Sequence, residues 1–255
     1  GHESRILSRV ARAIATEYAN LCDRVVAPTE SIRRMICDRG VTAPVEIVPT
    51  GIDVAMYSEG TGSAFRRSRG IPRHAFVVGY VGRVVDAKNM DYLARAVCEV
   101  LCEEPDAWFL IVGDGERCTE VNRIAADAGV AERLIVTGFL EETLVADAYA
   151  GMDVFAFASK TDTQGIVILE SMCAGVPIVA LDAPGARDTV RDGETGLLLK
   201  GDASCREFAD AILRLRKNRT LRLELGAAAQ RRARDYDRET CARKMAPVYA
   251  RVSEH

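Results

Sequence analysis

Short apolar runs alternate along this chain with stretches of helical period, and that alternation predicts a parallel sheet with helices on both faces. The predicted strands are residues 24–28, 45–49, 76–82, 107–113, 133–138, 153–158, 177–181 and 196–199. Helical patterns fall between them at about 5–20, 30–39, 88–103, 118–129, 142–150 and 165–174, with a helical tail from about 204. Runs such as "FVVGYVG" and "AWFLIVG" are apolar at nearly every position, so these strands are expected to be covered on both sides. From Gly79 to Leu199 the elements complete a doubly wound, Rossmann-like α/β unit.

The order predicts a division of the chain. Residues 1–50 supply a helix, a strand, a helix and a second strand, read as the terminal elements of a preceding domain. Residues 51–75, with the Gly- and Ser-rich "SEGTGSAFRRSRGIPRHA", read as a loop-like linker. Residues 76–235 form the doubly wound domain, and 236–255 a last helix packing back toward the N-terminal part. Pro247 lies inside that helix and is expected to kink or break it.

Composition narrows the function classes. The net charge of −3 argues against a nucleic-acid partner, which a basic excess would favour. The apolar runs are too short to span a bilayer, and no signal peptide is visible. Eight cysteines are scattered without a CxxC pair and read as reduced packing residues, from which a cytoplasmic location follows. Of three histidines, His2 and His255 sit at the ends, so a His-centred site has little to draw on. The basic helix "SRILSRVARAI" is a candidate for peripheral contact with an anionic membrane surface, against the blander reading of a solvated face.

In an open α/β sheet ligands bind at the carboxyl ends of the strands. Three such ends stand out. In "GYVGRVVDAKN" a strand ends at Gly82, Arg83 follows at once, and Lys88 precedes a helix, which together read as an anion site or as a solvated basic loop. In "IVGDGE" Gly113 and Gly115 flank Asp114, permitting either a tight turn or close approach to a ligand. No strand is followed by GxGxxG, which removes the main support for a nicotinamide cofactor. The third is "ASKTDTQGIVILESMCAGVPIVA", a polar loop carrying Asp162, then a helix opening at Gly165 with Thr163 or Gln164 near its cap.

Within that helix Glu170 stands among Ile166, Val167, Ile168, Leu169 and Met172, so the helix reads as buried nearly all round. An unpaired carboxylate there would cost several kcal/mol. Two partners fit: one of the many arginines, or the hydroxyls of a polyol ligand such as a nucleotide ribose. In the second case the amides of Gly165, Ile166 and Val167 would face an anionic group.

Taken in order, "GRVVDAKN", "IVGDGE", "VTGFL" and "TDTQGIVILESMCAGVPIVA" resemble the nucleotide-sugar-binding half of retaining glycosyltransferases of family 4, which have the GT-B fold. "APTESIRRMI" and "VPTGIDV" resemble the end of that family's N-terminal domain and the crossing to its second. The resemblance implies transfer of a hexose from a nucleotide diphosphate sugar to a saccharide or lipid acceptor, with no cofactor and no metal. Arg83 and Lys88 would hold the donor diphosphate and stabilise it as leaving group, with Gly82 allowing the approach. Asp162 and Glu170 occupy the places of the family's paired acids, Asp162 toward the sugar where the family usually has Glu, and Glu170 on the ribose. Gly165, Ile166 and Val167 would bind phosphates or sugar hydroxyls, and Gly138, Phe139 and Leu140 would line the base.

UDP-glucose, UDP-N-acetylhexosamine and GDP-mannose all suit these motifs. The "TDTQG" loop resembles branches that build glycolipids and surface polysaccharides. Most of the family's N-terminal domain is missing from the chain, which is therefore expected to be the donor-binding portion, able to bind nucleotide without turning over alone. The alternative is a catalytically inactive nucleotide-binding or regulatory module of the same fold.

Overall fold

The computed structural model describes residues 2–253, with side chains for residues 9–252. Part of the proposed membrane-contacting helix therefore lies outside the described side chains. The N-terminal unit comprises α1 (His2–Asn20), β1 (Val25–Ala27), α2 (Glu30–Asp38) and β2 (Val45–Ile47), with β1 and β2 paired in parallel. Two short helices follow, α3 (Val54–Ser58) and α4 (Gly62–Ser68).

The second unit contains β3 (Phe76–Val81), α5 (Met90–Glu103), β4 (Ala107–Val112), α6 (Cys118–Asp127), β5 (Leu134–Val136) and α7 (Glu142–Ala150). It continues through β6 (Val154–Phe157), α8 (Ile166–Cys173), β7 (Ile178–Leu181), α9 (Ala186–Thr189) and β8 (Gly196–Leu199). The chain closes with α10 (Cys205–Lys217), α11 (Arg219–Ala233) and α12 (Arg238–Ser253). All eight strands fall where the apolar runs predict them.

The six strands of the second unit lie in the order β5-β4-β3-β6-β7-β8, all parallel. Every residue of β3, β6 and β7 is buried, because helices cover both faces. Phe76, Val78 and Tyr80 pack toward α5, α6 and α10, while Val77 and Val81 pack toward α7 and α8. The strand order reverses between β3 and β6, and in such sheets the loops at that point part to leave a crevice.

The segment read as a linker is helical in part. Asp53 caps α3, its side chain accepting from the Met56 amide at 3.0 Å. The glycines that signalled a loop permit close packing instead: a Cβ at Gly60 would lie 2.3 Å from the Ala146 carbonyl oxygen, and one at Gly62 2.1 Å from that of Ala150. Helix α4 thus sits directly on α7, burying Phe65. Of the kink or break expected at Pro247, the break is absent, since α12 continues through it. Arg243, whose carbonyl loses its partner, is exposed, so water can satisfy the freed group.

The two units are in contact. Ile52 donates to the Tyr236 carbonyl at 2.9 Å, the Arg238 amide donates to the Ile52 carbonyl at 3.1 Å, and Arg251 of α12 pairs with Glu46 of β2 at 2.8 Å. Among the described residues no helix is long and apolar enough to cross a membrane.

Candidate functional site

The loops that leave β3 and β6 face each other at the reversal of strand order. Residue 82 must be glycine here: its φ is +142°, and an added Cβ would approach the Tyr80 hydroxyl to 2.9 Å. That hydroxyl is buried beneath the loop and donates to the Arg83 carbonyl at 2.9 Å. Lys88 ends a 3-10 turn, and Asn89 in the left-handed conformation (φ 58°) starts α5. The Ala87 carbonyl accepts from Thr161 Oγ1 at 3.0 Å and Ser159 Oγ at 3.4 Å, which ties the two loops together.

Across this junction Lys88 Nζ meets Asp162 Oδ1 at 2.5 Å, with both side chains less than one-fifth exposed. The other oxygen, Asp162 Oδ2, is buried with no hydrogen-bond partner among the described residues. A buried acceptor left unpaired costs on the order of 1–3 kcal/mol, so it is a place for a donor from outside the chain. The pair borders a cleft of about 170 Å³ walled by Gly82, Lys88, Asp162, Gly165, Ile166 and Val167.

Gly165 opens α8 with φ +66°, and no side chain caps the helix, contrary to the expected role for Thr163 or Gln164. The first-turn amides are thereby left without a side-chain partner at the cleft. Ile166 is 41% exposed and Val167 is half-buried, so this helix is not buried all round; its first turn opens onto the cleft.

Glu170 lies one turn deeper. Among the described residues no arginine pairs with it, which removes the ion-pair reading. Tyr149 from α7 donates to Glu170 Oε2 at 2.8 Å and contacts the Val167 carbonyl at 3.1 Å. The Tyr57 hydroxyl adds a smaller favourable interaction with the carboxylate. Burial nevertheless dominates and raises the Glu170 pKa, with Glu142 adding repulsion. The Tyr149 phenol is pushed up strongly by its own burial and then by Glu170, and so remains a donor.

The remaining candidates stand apart from the cleft wall. Arg83 is exposed. Gly113 and Gly138 bridge each other, and a Cβ at Gly113 would meet the Gly82 carbonyl oxygen at 2.0 Å, so Gly113 serves close approach of two loops. Phe139 is 79% exposed, while Leu140 packs against the core.

The sequence reading missed the partners of the polar groups. Tyr57 and Tyr149, in edge-to-face contact at 5.9 Å, come from α3 and α7, outside the helix that carries Glu170. Gln164 was read as a cap, but it is 2% exposed and binds Thr50. The lone tyrosine in "VADAYAG" was the available signal.

The six-stranded parallel sheet with helices on both faces, preceded by a smaller parallel unit, is an α/β architecture of the GT-B class, and solved structures of that class superpose on nearly the whole chain. The Anabaena protein HepE in complex with UDP and glucose matches with a TM-score of 0.86 at 24% identity, over 94% of this chain and 66% of that one. Sucrose-phosphate synthase from Thermosynechococcus elongatus matches at 0.83 and 21% identity, over 96% of this chain and 62% of that one. The chain belongs to the family "Glycosyl transferases group 1", whose profile matches residues 75–218; residues 1–56 match "Glycosyltransferase Family 4".

Its relatives include D-inositol 3-phosphate glycosyltransferases. The protein of Acidothermus cellulolyticus is 35% identical over 76% of this chain and 45% of its own length. That of Geodermatophilus obscurus is 30% identical over 96% of this chain and 56% of its own length. The chain thus spans about half the length of the curated relatives it matches.

Proposed function

We propose that this chain forms the donor-binding side of a hexosyltransferase that uses a nucleoside diphosphate sugar and retains configuration at the anomeric carbon. The observation that carries this reading is the Lys88–Asp162 pair with its unpartnered buried oxygen, set at the open first turn of α8 with Glu170 behind it.

Lys88 and Arg83 supply positive charge where the diphosphate gathers negative charge as it departs. The Ile166 and Val167 amides add donors at the helix N-terminus. Asp162 Oδ2 is suited to accept from a sugar hydroxyl, and Glu170 from the ribose hydroxyls. The backbone of Gly138–Leu140 would line the base. In the reaction the bond from the sugar C1 to the β-phosphate oxygen breaks and a bond to the acceptor oxygen forms on the same face. The acceptor's proton passes to the departing phosphate.

The acceptor is a saccharide or lipid, and the role we propose is in cell-envelope glycans or glycolipids at the cytoplasmic side of a membrane; relatives named for D-inositol 3-phosphate are in keeping with a hydroxylated acceptor. The N-terminal unit would pack against further elements of an acceptor domain. Val10, Ile14, Tyr18 and Leu21 are all exposed and, at spacings of four, four and three, form a single stripe for that purpose. Calorimetric titration with UDP, GDP and ADP tests the reading: one nucleoside diphosphate should bind with its affinity lowered by Lys88→Ala. Failure of all three to bind would overturn it.

A further inference from the structure

Gln164 is a buried polar residue that borders the cleft and to which the donor reading assigns no ligand contact. Its amide is paired on both sides with one backbone residue: Oε1 accepts the Thr50 N–H at 2.8 Å, and Nε2 donates to the Thr50 carbonyl at 2.9 Å. This is the pattern of a strand neighbour, made by a side chain. It also fixes the orientation of the amide, since a flip would set donor against donor.

The loop around it is held in the same manner. Thr29 Oγ1, at the N-cap of α2, donates to the Thr163 carbonyl at 3.0 Å while accepting from the Ile32 amide at 3.3 Å. Thr189 Oγ1 donates to the Gln164 carbonyl at 2.9 Å. Thr29 and Thr50 belong to the N-terminal unit and to the segment joining it to the sheet. The residues between Asp162 and Gly165 therefore take part of their conformation from chain 114 and 134 positions earlier.

We infer that Gln164 is a positioning residue that locks the donor loop to the joining segment at Thr50, so that nucleotide binding and the seating of the N-terminal unit are energetically coupled. Neighbours of Gln164 on either side wall the cleft, so a shift of the Thr50 segment moves Asp162 and the opening of α8 together. Coupling of this kind is reciprocal: what Thr50 does for the ligand, the ligand does for Thr50. The inference rests on the nucleotide-binding reading given above.

The test uses the 255-residue chain with UDP, GDP and ADP, the Thr50 amide followed by hydrogen exchange with and without the nucleotide that binds. Gln164→Met keeps the volume and loses both hydrogen bonds. Gln164→Glu keeps the acceptor for the Thr50 N–H but sets an oxygen against its carbonyl. In the unaltered chain nucleotide should slow exchange at Thr50. In Gln164→Met affinity should fall about tenfold and the nucleotide-dependent slowing should vanish. Gln164→Glu, which buries a carboxylate against the Thr50 carbonyl, should lose at least as much affinity and also lose the slowing; the slowing at Thr50 in the unaltered chain decides the question if either variant folds poorly. Equal affinities in folded variants, with Thr50 exchange indifferent to nucleotide, would overturn the inference while leaving the binding site intact. Absence of nucleotide binding by the unaltered chain would overturn both.

Discussion

Asp162 lines the cleft and Glu170 follows eight residues later in the helix that opens onto it, yet the chain holds the two acids by opposite means. Asp162 sits in a loop with a cation 2.5 Å away and one oxygen unpartnered. Glu170 sits inside a helix with no cation and a tyrosine donor, and burial raises its pKa. The first acid has Lys88 opposite its charge, and a ligand phosphate would share that cation with it. The second is under-compensated, and a ligand that brings hydroxyl donors relieves its desolvation. Under the proposed reading the loop pair meets the diphosphate and the donor sugar, and the helix acid meets the ribose.

Lys88→Ala should produce the largest effect, because it removes a charge-assisted contact with the diphosphate. Loss of about ten- to hundredfold in nucleoside diphosphate affinity is expected by calorimetry, with uridine itself nearly unaffected. Asp162→Asn should move affinity the other way, since it frees Lys88 for phosphate. A fall in both variants would collapse the division of labour between loop and helix.

Glu170→Ala comes next, at about tenfold for UDP. The sharper measurement repeats the titration with 2′,3′-dideoxy-UDP. If Glu170 accepts from the ribose hydroxyls, the substitution and the deoxygenation should not add, since each removes the same contact. Additive losses would place the ribose elsewhere.

The residues themselves show why the site was only partly legible. Strand periodicity and the polar loops marked the sheet and its carboxyl ends, because continuous apolar runs and glycine turns are local properties. The packing of α4 on α7 was hidden because Gly60 and Gly62, which make it possible, are also loop formers. Pro247 misled for a related reason: a lost hydrogen bond is cheap at an exposed carbonyl, and exposure is not a local property. The need of Glu170 for a partner was visible from its neighbours, but the choice of Tyr149 over an arginine depended on how α7 lies against α8. Gln164 was the hardest, its partner standing 114 residues away.

The smallest effect should be a pH-dependent difference in stability between the unaltered chain and Glu170→Gln. In the unfolded chain Glu170 titrates near the ordinary value of about 4.3. In the folded chain burial raises it, so between the two values the native state binds more protons than the unfolded state. Stability from this group is therefore unchanged below the ordinary value, declines as pH rises through the window, and stays reduced above the raised value. Glutamine carries no such penalty. Its advantage in denaturant midpoint should be absent in acid, grow through that window and level off above the raised value, while UDP affinity falls. A Glu170→Gln advantage that is constant with pH would mean that Tyr149 and Tyr57 already compensate the charge, and the contrast between the two acids would lose its electrostatic basis.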